Sequence, residues 1–383
     1  MTRKLSTRLV HQRSGKRHSP TVNPPVERAS TLLLPDSDAL NTHKPNYGRM
    51  GLATHRELCA GLCDLEGAIG AHLAPSGLTA CALAISSLAE AGDHVLVIEN
   101  IYGPTRKFAR RRLRAMGIEA EFFPASIGET IDTLFRDNTK AVFLEAPGSL
   151  TFEICDTQAI VTKAQERGIS TITDNTWSAG VYHKPLELGV DVSVQALTKY
   201  VVGHADAFGG VVLARDKKHD ARIGNTARDW GLSMSPDDAY TALRGLRTLA
   251  PRLKLHEAAG LELACWLETQ PNVARVIHPA LPSHPDHALW ERDFTGASGL
   301  FGVVLNPLSN DAKRTFFETV DLFGIGFSWG GYESLLIPAD PDMKREAGHW
   351  WHEEGGLVLR LHAGLEDTSD LIANLAAGFA AAY

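Results

Sequence analysis

From Thr54 onward, short apolar β-branched runs alternate with segments of helical length, and this alternation restricts the fold more than any other feature. Helices are expected at about Thr54–Gly67 and Thr79–Ala91, the second stopping at Gly92, before the strand His94-Val95-Leu96-Val97-Ile98. A basic amphipathic helix around Lys107–Met116, strands near Glu119–Phe123 and Ala141–Glu145, a helix at Thr157–Arg167 and a strand at Thr171–Asp174 continue the pattern. Val192–Ala196 and Gly210–Ala214 add two more apolar runs. Strands separated by helices of this length need right-handed crossovers, so the expected fold is α/β, with a mostly parallel sheet covered on both faces.

The flanks differ in texture. Up to about Gly51 the chain is polar and broken by Pro24-Pro25, Pro35 and Pro45, which predicts an extended arm over residues 1–50. After Arg247 come a long helix at about Ala250–Leu267, a His/Pro-rich loop (His278–His287), strands at Gly299–Leu305 and Gly356–Leu361, and a closing helix at Thr368–Ala381. These predict a large α/β domain over residues 51–247 and a smaller one over 248–383. A length of 383 residues suits that division.

Charge and cysteine content narrow the function. With 38 basic and 45 acidic residues the net charge is -7, so the chain lacks the overall basic field that nucleic-acid binding uses, and no such partner is expected. The run Arg110-Arg111-Arg112-Leu113-Arg114 reads as a solvated helix face. Five cysteines, an odd number, suit a reducing compartment better than a disulfide framework; Cys59 and Cys63 share a helix face with leucines and read as thiols in or near the core. No apolar stretch reaches the about 20 residues that span a membrane. The basic start (Arg3, Lys4, Arg8, Arg13, Lys16, Arg17) has the composition of a transit peptide but no apolar h-region, so the cytoplasm is expected and no membrane partner.

The chemistry concentrates at expected strand ends. Asp174, in Thr173-Asp174-Asn175-Thr176-Trp177, ends a buried strand at the edge where open α/β sheets bind ligands, although an Asp there can equally cap the next turn. Lys199, in Ala196-Leu197-Thr198-Lys199-Tyr200, follows the next strand to the same edge; alone it reads as a snorkelling surface lysine. Together they are what pyridoxal phosphate chemistry requires: an amine for a Schiff base and a carboxylate that keeps the pyridine nitrogen protonated. Ser76, Gly77 and Leu78 open a helix whose first N–H groups and dipole can cradle a phosphate, or Ser76 simply caps it. Tyr102 emerges after the strand ending near Ile98, where its ring can stack on a planar cofactor or fill a loop core.

With these motifs the chain resembles the Cys/Met-metabolism pyridoxal-phosphate enzymes of fold type I, and within them the cystathionine β-lyases. Further anchors are Tyr47-Gly48-Arg49, Gly203-His204-Ala205-Asp206, Phe327-Ser328-Trp329-Gly330-Gly331-Tyr332-Glu333-Ser334 and Leu359-Arg360-Leu361-His362-Ala363-Gly364-Leu365-Glu366-Asp367. The resemblance implies that Lys199 carries the Schiff base, Asp174 pairs with the pyridinium, Tyr102 stacks on the ring, and Gly77, Leu78 and Thr198 hold the phosphate. It implies that Tyr47 and Arg49 reach the same phosphate from a neighbouring subunit, Tyr47 also helping in proton transfer, so the basic start becomes part of an oligomerisation arm. Arg360 would clamp the substrate α-carboxylate beside Ser328 and Trp329. A homo-oligomer is expected, a tetramer built from dimers with shared sites.

Ala196 departs from the family, many members having Ser there, so one phosphate hydroxyl is expected to be missing. Pro147-Gly148-Ser149-Leu150 and Trp329 match β-lyases rather than γ-type relatives. The expected reaction is therefore α,β-elimination of a thiolate from cystathionine. The alternatives are a broader lyase of cysteine S-conjugates, a γ-lyase or γ-synthase, and a cofactor-binding regulator without turnover. No metal site is expected, because the pairs His284/His287 and His349/His352 lack a third ligand and read as loop histidines.

Overall fold

The computed structural model describes residues 3–11, 21–42, 45–339 and 356–383. Arg13, Lys16, Arg17, His349 and His352 lie outside them. The larger sheet has seven strands: β1 (Gly70–Ala74), β2 (His94–Ile98), β3 (Glu119–Phe123), β4 (Thr139–Glu145), β5 (Ser170–Asp174), β6 (Val192–Gln195) and β7 (Gly210–Ala214), in the order β1-β7-β6-β5-β4-β2-β3. The block β6-β5-β4-β2-β3 is parallel throughout, and β7 runs against both of its neighbours. Helices on both faces bury it, and every residue of β2, β6 and β7 is buried. That accounts for their nearly continuous apolar sequences.

β1 escapes the sequence pattern. Gly-Ala-His-Leu-Ala has neither β-branched residues nor clean alternation, and it becomes a strand by pairing with β7, Gly70 opposite Ala214 and Ala74 opposite Gly210. This is tertiary context overriding a weak local preference. The expected basic helix is an α-helix, Gly103–Phe108, running into one π-type segment, Ala109–Leu113. Ala109 and Leu113 are buried while Arg110, Arg111 and Arg112 are exposed. Cys59 and Cys63 lie half-buried on the helix Ala53–Glu66 beside the fully buried Leu58, Leu62 and Leu65, and burial raises their thiols to about 12 and about 11.

The smaller sheet holds β8 (Val273–Ile277), β9 (Leu300–Leu305), β10 (Leu335–Pro338) and β11 (Leu357–His362), antiparallel in the order β10-β11-β9-β8. Leu263, Phe316, Leu375 and Phe379, from three helices, pack on it as a core of its own. Trp177 just past β5 donates its indole N–H to Leu300 O (2.9 Å), and Gly299 N–H donates to the Tyr200 hydroxyl (3.1 Å), fastening the two sheets together. At the start of the chain a short helix, Leu5–Val10, buries Leu9 in the larger core, and Arg8 pairs with Asp64 at 2.7 Å. The first part of the expected arm is thus docked on its own chain.

The turn after Lys199 is held from beneath. Arg252, 8% exposed, donates to Tyr200 O (2.7 Å), Val201 O (3.3 Å) and Gly245 O (2.8 Å). Gly245, inside the helix Pro236–Arg247, meets this turn so closely that a Cβ there would collide with Val201 O. Gly245→Val is therefore expected to destabilise the fold by about 1–3 kcal/mol through overpacking, read as a lower urea midpoint. An unchanged midpoint would contradict this account of the turn.

Candidate active site

Because β2, β4, β5 and β6 are parallel, their C-terminal ends share one edge of the sheet. Asp174 ends β5, Glu145 ends β4 opposite it in register, Tyr102 follows β2, and Lys199 follows β6. The helix Gly77–Leu88 starts just past β1 at the same edge. The smaller domain closes the space with Arg360 from β11 and the segment Phe327–Trp329. The cavity, about 330 Å³, is lined by all of these, and also by Ser76, Leu78 and Thr198. Sequence reasoning placed Asp174, Lys199 and Tyr102 at one edge; Thr198 and the small domain's contribution to the same cavity came only by resemblance.

Two cations and two carboxyls face this space. Lys199 Nζ donates to Ser328 Oγ at 2.7 Å and sits 5.1 Å from the centroid of the Trp329 ring. Burial, then the nearby Arg360 charge, lower its pKa to about 8, with Asp174 opposing. Arg360 donates to Ser328 O at 2.9 Å, and burial lowers its own pKa to about 10, so it stays cationic at neutral pH. Asp174 Oδ1 accepts from the N–H (3.0 Å) and hydroxyl of Thr176, while among the described residues Oδ2 accepts a weak thiol donor, Cys81 Sγ, at 3.6 Å. Burial raises the Asp174 pKa, and the Thr176 bonds resist that rise.

Other contacts set the walls. Ser76 Oγ accepts from Thr79 N–H at 3.2 Å, so it caps the helix and leaves the first-turn amides of Gly77 and Leu78 facing the cavity edge. A Cβ on Gly77 would collide with the Ala196 methyl, which is why a glycine stands over a small residue here. The Thr198 hydroxyl exchanges hydrogen bonds with Gly209 O (3.2 Å) and Gly209 N (3.1 Å). Leu150, Phe152 and Ser328 all line the cavity with positive φ (69°, 54° and 90°), a conformation unfavourable for residues other than glycine and one that tends to gather at functional sites.

Tyr47 and Arg49 are not brought to this cavity by their own chain. Tyr47 bridges Thr31, the Arg49 guanidinium stacks 5.8 Å from its ring centroid, and both are exposed. His284 and His287 turn to the backbone, His284 Nδ1 accepting from Asp286 N–H (3.1 Å) and His287 Nδ1 lying 3.0 Å from Pro279 O. Sequence reasoning missed Glu145 and Cys81. Glu145 carried the same signal as Asp174, a carboxylate at the end of a buried strand, whereas nothing marked Cys81 before the helix was laid against the sheet.

A model of the Cys/Met metabolism PLP-dependent enzymes matches residues 6–380. The chain belongs to that family. It is 41% identical to cystathionine beta-lyase MetC of Escherichia coli, over 99% of this chain and 98% of the relative, and 42% identical to a cystathionine beta-lyase of Bordetella avium, over 93% and 91%. Among solved structures it superposes on a cystathionine gamma synthase of Xanthomonas oryzae, in complex with aminoacrylate and cysteine, with a TM-score of 0.92 and 29% identity, covering 100% of this chain and 99% of that one. The protein is thus a pyridoxal-phosphate enzyme with a fold type I architecture.

The donor set fits the cofactor. Asp174 Oδ2, held by a weak thiol donor, suits a ring N–H⁺, and the amides of Gly77 and Leu78 suit a phosphate at the positive end of a helix. Lys199 offers the amine that captures the aldehyde, and only its neutral form is nucleophilic. With its pKa lowered to about 8, loading of the apoprotein with pyridoxal phosphate should speed up as pH rises through about 8 and then level off. The rate at which yellow colour develops measures this, and a rate still climbing toward pH 10 would contradict it.

Proposed function

We propose that this chain is a cystathionine β-lyase, cleaving L-cystathionine to homocysteine, pyruvate and ammonia by α,β-elimination. The observation that carries the reading is the cavity's combination of a half-buried amine (Lys199), a guanidinium (Arg360) and an apolar wall with Trp329, in a chain at least 40% identical to β-lyases along almost its whole length. When bound, pyridoxal phosphate supplies an electron sink that acidifies the substrate Cα–H.

The chain's residues then do the following. Arg360 binds the α-carboxylate through paired N–H donors and fixes which face of Cα points at Lys199. Lys199 Nζ, steered by Ser328 Oγ, removes the Cα proton and returns a proton to the sulfur that leaves from Cβ. Trp329, half-buried in the cavity wall, screens the thioether side from water. The released aminoacrylate hydrolyses to pyruvate and ammonia. Asp174 would hold the ring nitrogen, Tyr102 would stack on the ring, and Gly77, Leu78, Ser76 and Thr198 would hold the phosphate.

We place the division at 1–50, 51–247 and 248–383, with the last boundary between the helices Pro236–Arg247 and Leu249–Glu268. Tyr47 and Arg49, exposed and outside their own chain's cavity, are proposed to complete the phosphate site of a second copy, with a tetramer as the full assembly and the cytoplasm as its compartment. Among the described residues no helix is long and apolar enough to cross a membrane.

Incubation with cystathionine should release thiol and pyruvate together; 2-oxobutyrate in place of pyruvate would mean γ-elimination. Lys199→Ala should lose both the yellow colour and pyruvate formation, and undiminished turnover in that variant would remove Lys199 from the reaction. Arg360→Ala should raise KM by about two orders of magnitude, from a loss of about 3 kcal/mol at tenfold per 1.4 kcal/mol, while cofactor binding changes little. An unaltered KM would mean that the carboxylate binds elsewhere.

A further inference from the structure

Glu145 has no part in the reaction outlined above, yet it lines the same cavity. It ends β4 and stands in register beside Asp174 on β5. Its Oε2 accepts the Tyr102 N–H at 2.6 Å. Tyr102 begins one wall of the cavity, and Pro147–Leu150 forms the next.

The two segments need such a link. Tyr102 is 40% exposed and turns the chain from β2 into the helix Gly103–Phe108, so its ring has little packing of its own to hold it. The facing segment contains Leu150 in the left-handed region and Gly148, where a Cβ would collide with the Asn100 side chain. Ser149 N–H donates to Asn100 O at 2.8 Å, which draws the same two segments together. The far end of the Tyr102 turn is fixed separately, by the Arg106–Glu99 pair at 2.7 Å.

We propose that Glu145 is a positioning residue, whose carboxyl ties the Tyr102 turn to the end of β4, the strand that leads into the Pro147–Leu150 wall, and so sets the height of the Tyr102 ring over the cofactor. Its task needs acceptor oxygens and not a negative charge. Burial and the adjacent Asp174 both push its pKa well up, whereas at Asp174 the Thr176 bonds resist the rise. The inference rests on reading the cavity as the cofactor and substrate site.

The test uses the holoenzyme and three variants. Glu145→Gln keeps an acceptor for the Tyr102 amide and should hold kcat and KM within about threefold of the parent, with the visible circular dichroism of the bound cofactor unchanged. Glu145→Ala should lower kcat/KM by at least tenfold and change that dichroism, because the ring above the cofactor shifts. If Glu145→Ala does not fold, Glu145→Asp draws the acceptor back by one methylene and should give the same change in smaller measure. Glu145→Gln as damaged as Glu145→Ala or Glu145→Asp would show that the charge matters and overturn the proposal. A parent-like Glu145→Ala, or Glu145→Asp if the alanine variant does not fold, would do so as well. Lys199→Ala is the control: if it keeps colour and turnover, the site assignment itself has failed, whereas its loss alongside a failed Glu145 series condemns the positioning role alone.

Discussion

Parallel strands end at a common edge, and in this chain that constraint assembles the chemistry. Four strands running the same way deliver Tyr102, Glu145, Asp174 and Lys199 to one line, although the residues span about a hundred positions in sequence. Reversing any one of them would send its functional residue to the opposite side of the molecule. The covering helices make the edge a floor, and the smaller antiparallel domain, fastened through Trp177 and Tyr200, supplies the roof.

A floor of this kind gathers charges that water would otherwise solvate. Isolated, a buried carboxylate or ammonium is costly, and the site lowers that cost by mutual arrangement. Lys199 and Arg360 converge on Ser328, one on its hydroxyl and one on its carbonyl, which explains why a serine is held at φ 90° there. The proximity of the two cations helps to bring the lysine pKa to about 8, into the range where an amine can both release and accept a proton. On the opposite side Asp174 and Glu145 stand adjacent, and their different hydrogen-bond partners separate their protonation behaviour. The same burial that makes these groups expensive makes them reactive.

Much of this could be read from the sequence. The strand-end logic found Asp174, Lys199 and Tyr102 without any structure, because a buried parallel strand leaves a clear apolar signature and its next residues must face the ligand edge; the Ser76-Gly77-Leu78 helix start was found separately, as a capped helix N-terminus. The family resemblance added Arg360, Ser328 and Trp329, which no local pattern links to the large sheet. β1 stayed hidden because its strand character comes from pairing with β7 rather than from its own residues. Glu145 was legible by the logic that found Asp174, but without a cationic partner in sequence it read as the end of a strand.

The sequence by itself determined the α/β alternation, the sheet edge that carries the chemistry, and the cofactor class, because these follow from local periodicity and from residue types that serve few other purposes. Tertiary structure alone decided that Arg360 and Lys199 share one serine, that Cys81 donates to Asp174, and that Glu145 accepts the Tyr102 N–H. It also set Tyr47 and Arg49 away from their own chain's cavity. The physical reason is range: periodicity reports on neighbours within a helix turn or a strand, whereas these contacts join residues from 32 to 129 positions apart, fixed only when the strands, helices and two sheets pack.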